Sequence, residues 1–335
     1  MRPPEVSVLL PARNAEATVE RAVRSILEQT LRALELVVVD DGSTDGTSAL
    51  LERLSQEDGR IVRLCGKSRG IADALQLGQA HCRAPLIARM DADDEALPER
   101  LEKSVAALRA DASLAGVGTQ VEIFREDRPV SPNMQLYARW LNGLTSPDRL
   151  ARERFIESPL CHPSVTLRRA ALEAVGGWED GDFPEDYQLW LKLLARGYRL
   201  TCLPELLFRW RDHDERLTRR DPRYEEDRFF ALKARFLAEA LPDRRCVLWG
   251  AGRIGRALAR ELRGNGVEIT SLLDVDPQKI GRRVDGILVE DWRSLGAPGS
   301  LHLVSAVGSK GAREKIRAAL VSQGWIEGEH FTCAA

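Results

Sequence analysis

An apolar run that ends in three aspartates constrains this chain more than any other part of its sequence. Residues 86–90 are mostly apolar, and Asp91, Asp93 and Asp94 follow directly. Such a run is typical of a buried parallel strand, and ligands of open α/β sheets bind outside the carboxyl ends of these strands. Crowded carboxylates repel each other unless a cation or a shared proton relieves them, and Mg²⁺ prefers carboxylates together with phosphate oxygens. The acids therefore predict a divalent cation bound with a diphosphate; a solvated loop that caps a helix near Pro98 is the alternative.

The composition describes a soluble globular protein that is long enough for two domains. The chain has 335 residues, of which 44% are apolar and 30% are charged. Its formal net charge of -2 gives no electrostatic footprint for nucleic acid or for an anionic membrane surface. We therefore expect no nucleic-acid partner.

The sequence also bears on the cellular compartment. No stretch approaches the roughly 20 apolar residues of a membrane span. Residues 1–5 lack the apolar centre of a signal peptide. The six cysteines are scattered without a CxxC pair, which is typical of reduced, mostly buried thiols rather than of a disulfide frame or a zinc site. We expect a cytoplasmic protein without a membrane span.

Strand-like and helix-like segments alternate along the first part of the chain. Strands are predicted at 6–10, 34–39, 61–64 and 86–90, and helices near 19–27, 45–58 and 68–82. This alternation predicts a parallel sheet with crossover helices. Beyond residue 115 a strand is predicted at 117–124, little periodicity over 125–160, a strand at 164–167, and helices from about 168 and over 185–195.

A second alternation begins after Pro242. A charged helix near 222–241 leads into this proline. A strand at 246–249, a glycine turn, a helix at 256–263 and a strand at 269–273 follow it. We therefore predict two α/β domains, residues 1–241 and residues 242–335, of which the second is a small Rossmann-like domain.

Two other strands of the predicted sheet end in polar residues. The first strand leads into residues 11–14, and the second into residues 40–45, which begin with Asp40 and Asp41. A carboxylate at this edge can accept a hydrogen bond from a base N–H or a ribose hydroxyl, and a small glycine-containing turn lets a nucleotide approach the backbone. The alternative is a plain turn in which Ser43 or the residue after it caps the next helix.

Four motifs in this order resemble those of the family 2 glycosyltransferases. They comprise residues 6–14, residues 37–45, residues 88–94, and the group 162–165, 176–178 and 184–190. The resemblance runs from about residue 5 to about residue 215, and its specificity lies in the order and spacing of the motifs. It implies a GT-A fold with a mostly parallel central sheet, a nucleotide-sugar donor, a divalent cation (Mg²⁺ or Mn²⁺) and inversion at the anomeric carbon.

Carried over position by position, the resemblance implies roles for individual residues. Asp91 and Asp93 match the family's Asp-x-Asp motif, with Asp93 as the direct metal ligand and Asp91 facing both metal and donor. Asp186 matches the general base. The nucleoside-binding positions are Pro11, Ala12, Arg13, Asp40 and Asp41. Because the family commonly has Tyr where Ala12 stands, this position can offer a backbone contact but no aromatic stacking.

The chemistry of sugar transfer also requires a base such as Asp186. An acceptor hydroxyl is a poor nucleophile, and a carboxylate that takes its proton contributes roughly 10²–10⁴-fold in rate. Glu185 is expected to support the acceptor side of the site. The alternative for both acids is a helix start, since first-turn acids favour the helix dipole and Pro184 suits that position. Trp190 and Leu193, at helical spacing on the same segment, are predicted to lie in the core.

Histidines and arginines supply further candidates. His162 lies in the resemblance's His-Pro-Ser stretch, although a structural hydrogen-bonding role is the alternative. His213 follows the last strand-like segment, where related folds place a metal or diphosphate ligand. Arg69, Arg89 and Arg219 could pair with phosphate, and surface ion pairs are the alternative for each.

A glycine turn in the C-terminal half carries a second signal. Gly250, Gly252 and Gly255 follow a strand and open a helix, and Asp274 ends the next strand roughly 20 residues on, as a dinucleotide fingerprint requires. The ligand that this fingerprint implies is an NAD-like nucleotide. Glycine turns also serve helix–strand packing alone, so a structural or interaction module is the alternative.

The predicted function is inverting transfer of a sugar, with a UDP-sugar as the expected donor, to a saccharide or lipid-linked saccharide in cell-surface polysaccharide or glycoconjugate synthesis. Two alternatives are a sugar-nucleotide nucleotidyltransferase and a non-enzymatic nucleotide-sugar-binding protein. The first would need a basic, glycine-rich loop after the first strand, which residues 11–15 lack. The second leaves the Asp186 motif without a purpose. The expected location is the cytoplasm, with peripheral association at the inner face of the membrane, and the oligomeric state is left open.

Overall fold

The computed structural model describes residues 3–335, which divide into two compact units. The first unit holds most of the first two thirds of the chain, and the second holds the remainder together with two short inserted segments. The first unit comprises residues 3–151, 159–181 and 185–220, and the second comprises 152–158, 182–184 and 221–335.

Strands and helices alternate in the first part of the first unit, as predicted. The elements are β1 (Val6–Ala12), α1 (Val19–Leu27), β2 (Leu34–Asp40), α2 (Thr47–Glu57), β3 (Ile61–Cys65), α3 (Ile71–His81) and β4 (Leu86–Arg89). The strands β1, β2 and β3 pair in parallel, and β4 pairs in parallel with β1. Alternate residues of β1 face opposite sides of the sheet, because Val8 and Leu10 join one apolar cluster and Leu9 joins another.

The later part of this unit extends the same sheet. Its elements are β5 (Glu95–Ala96), α4 (Arg100–Ala110), β6 (Leu114–Phe124), α5 (Pro132–Asn142), α6 (Pro147–Glu153), β7 (Thr166–Arg168), α7 (Arg169–Ala174), α8 (Glu185–Ala195), β8 (Arg199–Arg211) and α9 (Leu217–Arg220). The strand order is β3-β2-β1-β4-β7-β6-β8-β5. β7 pairs antiparallel with β4 and β6, whereas β6 and β8 run parallel over ten paired positions. The prediction of a mostly parallel central sheet is therefore confirmed.

Helix α5 lies in the segment for which the sequence indicated little periodicity. Ser131 caps this helix by accepting a hydrogen bond from the Met134 N–H, and proline occupies its first turn. Only Leu141 is fully buried on it, while Tyr137 and Trp140 pack against the core with part of each ring exposed. The apolar face is thus built from half-buried aromatic rings, and a strict count of aliphatic residues underestimates it.

The second unit contains a sheet of its own. Its elements are α10 (Glu226–Ala240), β9 (Arg245–Trp249), α11 (Arg253–Gly264), β10 (Glu268–Asp274), β11 (Arg283–Val284), β12 (Ile287–Asp291), β13 (His302–Ser305), α12 (Ala312–Ser322) and β14 (Phe331–Cys333). The order is β11-β12-β10-β9-β13-β14, and every pairing except β11–β12 is parallel. The order reverses beside β9, where open parallel sheets of this type have their switch point.

Helix α10 packs with the second unit, although the sequence-based boundary near Pro242 leaves it in the first domain. That boundary stays a prediction that truncation can test. Across residues 3–335, none of the helices is both long enough and apolar enough to cross a membrane. Of the six cysteines, all free thiols, only Cys65 is exposed, in agreement with the expectation of mostly buried thiols.

Candidate active site at the carboxyl edge of the first sheet

The parallel register brings three strand ends to one edge of the first sheet. Ala12 at the end of β1 pairs with Asp40 at the end of β2, and Leu9 of β1 pairs with Arg89 at the end of β4. The backbone continues this alignment past the strands, because the Asp41 N–H donates to the Ala12 carbonyl at 2.8 Å. The residues predicted to bind the nucleoside and those predicted to bind the metal therefore leave the sheet at the same edge.

The loops after β1 and β2 are tied to each other. The Thr44 N–H donates to Asn14 Oδ1 at 2.8 Å, and the Asn14 N–H donates to Ser43 Oγ at 3.0 Å. Asn14 adopts a positive φ of 49°, which asparagine tolerates better than most residues. Three residues at the end of β1 are predicted to contact the nucleoside. Of these, Pro11 and Ala12 are buried and Arg13 is exposed.

Asp40 and Asp41 are both buried in the turn after β2. Asp40 Oδ1 accepts a hydrogen bond from the Ser43 N–H at 3.0 Å, and Asp41 Oδ2 accepts one from the Gly70 N–H at 3.0 Å. Asp41 Oδ1 has no hydrogen-bond partner within the described part of the chain. A Cβ at Gly66 would lie 2.6 Å from this oxygen, so the turn requires glycine there. Asp41 thus retains a carboxylate oxygen with unused accepting capacity.

The three aspartates after β4 form one cluster. Carboxylate oxygens of Asp91, Asp93 and Asp94 all lie within 4.8 Å of one another. Asp94 is only 1% exposed, and its Oδ1 accepts a hydrogen bond from the Arg211 N–H at 2.8 Å. Its Oδ2 is buried without a partner among residues 3–335. Burial, followed by the charges of Asp93 and Asp91, raises the pKa of Asp94 well above its ordinary value.

Two basic side chains approach this cluster from different elements. Arg89, 2% exposed, places Nη2 at 2.7 Å from Asp91 Oδ1. His213, which follows β8, places Nε2 at 3.0 Å from Asp93 Oδ2. The structure therefore brings together Asp91, Asp93 and His213, the residues predicted as metal ligands. Carboxylate oxygens and one imidazole nitrogen form a donor set that suits Mn²⁺ and, through its oxygens, Mg²⁺, so the residues present fit the predicted ion.

The predicted Glu-Asp pair opens helix α8. Glu185 is buried and Asp186 is half-buried, both in the first helical turn, where the helix dipole favours negative charge. His162 lies beside them, with Nδ1 at 4.0 Å from Glu185 Oε1. The Trp178 indole N–H donates to His162 Nε2 at 2.9 Å, which assigns the imidazole proton to Nδ1.

Arg89 links this pair to the aspartate cluster. Burial, and then the charge of the nearby Arg89 guanidinium, lowers the pKa of His162 well below its ordinary value. The neutral imidazole is therefore close to the Glu185 carboxyl group and within the electrostatic influence of Arg89, which pairs with Asp91. The segment around His162 also lies beside the end of β4, because the Arg89 N–H donates to the Val165 carbonyl at 2.8 Å.

The remaining sequence candidates have structural partners. Trp190 and Leu193 are fully buried in the core, as predicted. Arg69 is exposed and lies 3.9 Å from the carboxylate of Asp73. Arg219 donates to Asp212 Oδ1, just after β8, at 2.7 Å and to the carbonyl of His213 at 2.8 Å. None of these contacts assigns a phosphate to either arginine.

Packing explains only part of the glycine turn of the second unit. A Cβ at Gly255 would lie 1.8 Å from the Gly250 carbonyl oxygen, whereas a Cβ at Gly252 would meet open space. Asp274 accepts hydrogen bonds on both oxygens, including one from the Ala251 N–H at 3.2 Å and one from the Lys279 ammonium at 3.0 Å. The carboxylate that a ribose would need is therefore already used within the unit. The NAD-like nucleotide stays a prediction that no described contact supports.

Solved structures share the fold of most of the chain. The structure of S. aureus TarS 1-349 superposes with a TM-score of 0.55 and 17% sequence identity, covering 77% of this chain and 70% of that one. The same protein in complex with UDP-GlcNAc gives a TM-score of 0.54 at 17% identity, covering 77% and 71%. The predicted GT-A glycosyltransferase fold is thereby confirmed.

Sequence comparison then identifies the family. The Glycosyl transferase family 2 matches this chain over residues 7–176. EpsE of Bacillus subtilis (strain 168), whose name carries the term glycosyltransferase, is 30% identical over 229 residues, 67% of this chain and 79% of that protein. The amylovoran biosynthesis glycosyltransferase AmsE of Erwinia amylovora is 28% identical over 225 residues, 64% of this chain and 79% of its own. The chain belongs to glycosyl transferase family 2 and is a transferase, as its motifs predicted.

Sequence reasoning missed the contacts that three side chains make near this edge. Arg89 was treated as a phosphate candidate, but its burial beside Asp91 could not be seen from an apolar run. The indole of Trp178 fixes the His162 proton, and Arg125 approaches the segment after β8 from 87 residues away. The available signals were an arginine inside an apolar strand and a tryptophan beside a glycine pair, neither of which is specific by itself.

Proposed function

We propose that this protein transfers a sugar from a nucleotide-diphosphate sugar to a hydroxyl acceptor with inversion, in a reaction that depends on a divalent cation. The observation that carries the proposal is the aspartate cluster after β4, where Asp94 has a buried oxygen without a partner and the acids repel each other. Burial and like charges disfavour the ionised form of these acids, and either a shared proton or a bound cation relieves the repulsion. We assign this role to a divalent cation that binds together with the diphosphate of the donor.

Asp93 and His213 would hold the ion directly, with Asp91 sharing it through its second oxygen. When bound, the ion neutralises the charge that grows on the leaving diphosphate. The Arg89 guanidinium limits the negative charge of the cluster by pairing with Asp91 at 2.7 Å. Asp94 orients the segment after β8 by accepting the Arg211 N–H, which brings His213 to the cluster.

The nucleoside would lie across the loops after β1 and β2. In this arrangement Asp41 Oδ1, which lacks a partner in the described chain, accepts a hydrogen bond from the base or the ribose. Asp40 and the backbone of residues 11–13 complete the pocket. A UDP-sugar is the proposed donor, and the fold shared with a protein captured with UDP-GlcNAc supports a nucleotide sugar at this edge.

Asp186 is the proposed general base. It takes the proton of the acceptor hydroxyl while that oxygen forms a bond to the anomeric carbon. The bond from this carbon to the diphosphate oxygen breaks in the same step, and the electron pair leaves with the nucleoside diphosphate. A single displacement inverts the configuration and needs one base, and the half-buried first-turn position of Asp186 on α8 suits that role.

The proposed acceptor is a saccharide or lipid-linked saccharide in polysaccharide or glycoconjugate synthesis. Support comes from relatives such as AmsE, whose name refers to amylovoran biosynthesis. A cytoplasmic location, peripheral to the inner face of the membrane, follows as part of the same proposal. Membership of a glycosyl transferase family favours this function over nucleotidyl transfer and over a binding protein without activity.

A panel of nucleotide-diphosphate sugars, scored by release of the nucleoside diphosphate with Mg²⁺ or Mn²⁺, tests the proposal. We expect release with at least one donor, stimulated by added saccharide acceptors. The Asp186→Asn variant should bind the same donor but release little diphosphate. Failure of every donor to bind or react in the presence of both metals would overturn the assignment of this edge as the donor site.

A further inference from the structure

The segment after β8 is fixed by a lattice of arginines and aspartates. Asp212 is 2% exposed, and its Oδ2 lies 3.1 Å from Arg125 Nη1. Its Oδ1 accepts a hydrogen bond from Arg219 Nη2 at 2.7 Å and lies 3.6 Å from Arg216 Nη1. Three guanidinium groups therefore surround one buried carboxylate.

The backbone on either side of this carboxylate is also held. The Asp212 N–H donates to the carbonyl of Phe124, the last residue of β6, at 2.8 Å. The preceding N–H, that of Arg211, donates to Asp94 Oδ1 at 2.8 Å. At the end of β8, the backbone is thus hydrogen-bonded both to the end of β6 and to the aspartate cluster.

Arg125 anchors the lattice to the body of the first unit. Its side chain is 3% exposed, and it pairs with the carboxylate of Asp127 through Nε at 2.9 Å and Nη2 at 2.8 Å. A buried guanidinium of this kind is stable only when its donors are paired, and Asp212 supplies one of those partners. Removing the charge of either residue would therefore loosen the other.

The lattice encloses the backbone of His213 and leaves its ring facing the acids. Arg219 reaches back from α9 to donate to the His213 carbonyl at 2.8 Å. Asp214, on the other side of the histidine, pairs with Arg125 at 3.3 Å and is 56% exposed. The imidazole of His213 contacts the aspartate cluster, with Nε2 at 3.0 Å from Asp93 Oδ2.

We propose that Asp212 is a positioning residue, which holds the His213 imidazole beside Asp93 through its buried ion pair with Arg125. The inference rests on the proposed function, because it gives His213 a metal to bind. Partners that orient a metal ligand typically affect metal affinity about 10–100-fold when they are mutated. Asp212 acts on the backbone of the ligand rather than on its ring, so the lower end of that range is expected.

Mn²⁺ affinity, measured by electron paramagnetic resonance with UDP or GDP present, tests this inference. Asp212→Asn keeps the shape of the side chain and should weaken Mn²⁺ binding about 10-fold. Glu215→Gln is the matched control, since it neutralises an exposed acid of the same segment that pairs with Arg220, outside the three arginines around Asp212. The control should stay within about 2-fold of the wild type, because exposed ion pairs contribute little.

A double-mutant cycle separates positioning from a general loss of structure. In a His213→Ala background, Asp212→Asn should cause no further loss of Mn²⁺ affinity, because its effect passes through the histidine. An equal loss in both backgrounds, or a folded Asp212→Asn protein with wild-type affinity, would overturn the inference. Thermal unfolding of each variant accompanies the titrations.

Arg219→Gln provides a second variant in case the loss of a buried charge prevents folding. This variant removes the half-exposed Arg219 guanidinium but leaves Arg125 paired with Asp212. It should weaken Mn²⁺ binding about 3-fold, which is less than the effect expected for Asp212→Asn. Unchanged affinity in this variant would also contradict the inference. A wild-type protein that binds no Mn²⁺ would overturn both the proposed function's metal and this inference, whereas normal wild-type binding with unaltered variants would overturn the inference alone.

Discussion

At the end of β10, both carboxylate oxygens of Asp274 accept hydrogen bonds from the surrounding unit, whereas at the end of β4 one oxygen of Asp94 is buried without a partner among the described residues. Asp274 ends a parallel strand and Asp94 follows one, at the carboxyl edge of an open sheet where ligands commonly bind. Lys279 lies 3.0 Å from Asp274, but the cluster around Asp94 contains two further aspartates.

The difference shows in the acidity of the two groups. Although burial raises the pKa of Asp274, hydrogen bonds from the Asp276 N–H and Lys279, among others, hold it below its ordinary value. Burial and neighbouring carboxylates instead raise the pKa of Asp94. Under the proposed function, the strand end whose charge is balanced within the fold has a structural role, whereas the crowded acids near the other strand end are relieved by a divalent cation. The sequence pattern of an acid after an apolar run is the same in both cases.

The largest effect expected at the candidate site is a loss of transfer rate when its proposed general base is removed. Asp186→Asn keeps the shape and hydrogen-bonding capacity of the side chain but removes the basic oxygen. If Asp186 takes the acceptor proton, turnover should fall roughly 10²–10⁴-fold, about 3–5 kcal/mol of barrier, with donor affinity nearly unchanged. Turnover, donor binding and melting temperature should be measured on one preparation.

Asp182→Asn is the control for that variant, because Asp182 is a nearby acid whose side chain is 87% exposed. It should leave turnover at the wild-type level. A stable, donor-binding and fully active Asp186→Asn protein would remove Asp186 from the mechanism and leave it as a helix-start acid.

A pair of matched substitutions compares the two strand ends directly. Asp93→Asn should weaken Mn²⁺ and donor binding and reduce turnover roughly 10²–10³-fold, as loss of one charge-stabilising group does. Asp274→Asn should leave turnover unchanged and lower stability by about 1–3 kcal/mol, because it disrupts hydrogen bonds to a charged group. Steady-state kinetics and thermal unfolding measure both. Equal losses of turnover in the two variants would contradict the division of roles.

The glycine turn of the second unit sharpens the comparison from the structural side. Gly255→Ala places a Cβ against the Gly250 carbonyl and should cost about 1–3 kcal/mol of stability, the usual penalty for overpacking. Gly252→Ala enters open space and should stay within about 0.5 kcal/mol of the wild type. Chemical denaturation measures both values. Thermal stabilisation of the wild type by NAD, abolished in Gly252→Ala, would instead show a nucleotide site at this turn.

Truncation should produce the smallest change at the candidate site. A fragment of residues 1–241 should stay folded and bind UDP or GDP within about 3-fold of the full chain, as a domain with its own core does. A second fragment, 1–220, also removes α10, whose apolar face packs within the second unit, and should be the more soluble of the two. If both fragments are unfolded where the full chain is stable, the two units share one cooperative structure.

Much of the first sheet could be predicted because its strands are short apolar runs that end in polar residues. Residues 37–39 and 86–90 show this pattern, and the helix at 19–27 has clear apolar periodicity. Helix α5 was not predicted, since its buried face consists of partly exposed aromatic rings. Its start was nevertheless visible in Ser131 followed by proline, a capping signal that requires no periodicity.

The candidate site was predictable residue by residue but not as an arrangement. The motifs indicated Asp93 and His213 separately, and 120 residues of chain separate the two side chains that meet at 3.0 Å. The pairs of Arg89 with Asp91 and of Arg125 with Asp212 had no specific sequence signal, because arginine is usually exposed. Whether a charged residue is buried depends on which strands become neighbours, and that information is not local.

The most direct test of the central claim is turnover of the metal-free protein. Nucleoside diphosphate release should be measured with a reactive donor in excess chelator, with removal of metal confirmed, and then after Mg²⁺ or Mn²⁺ is restored. The acids at the end of β4 predict that release stops in chelator and returns with either ion. Undiminished release from metal-free protein would contradict the assignment of Asp91 and Asp93 as the metal site, and with it the reason given for the unbalanced charge at this strand end.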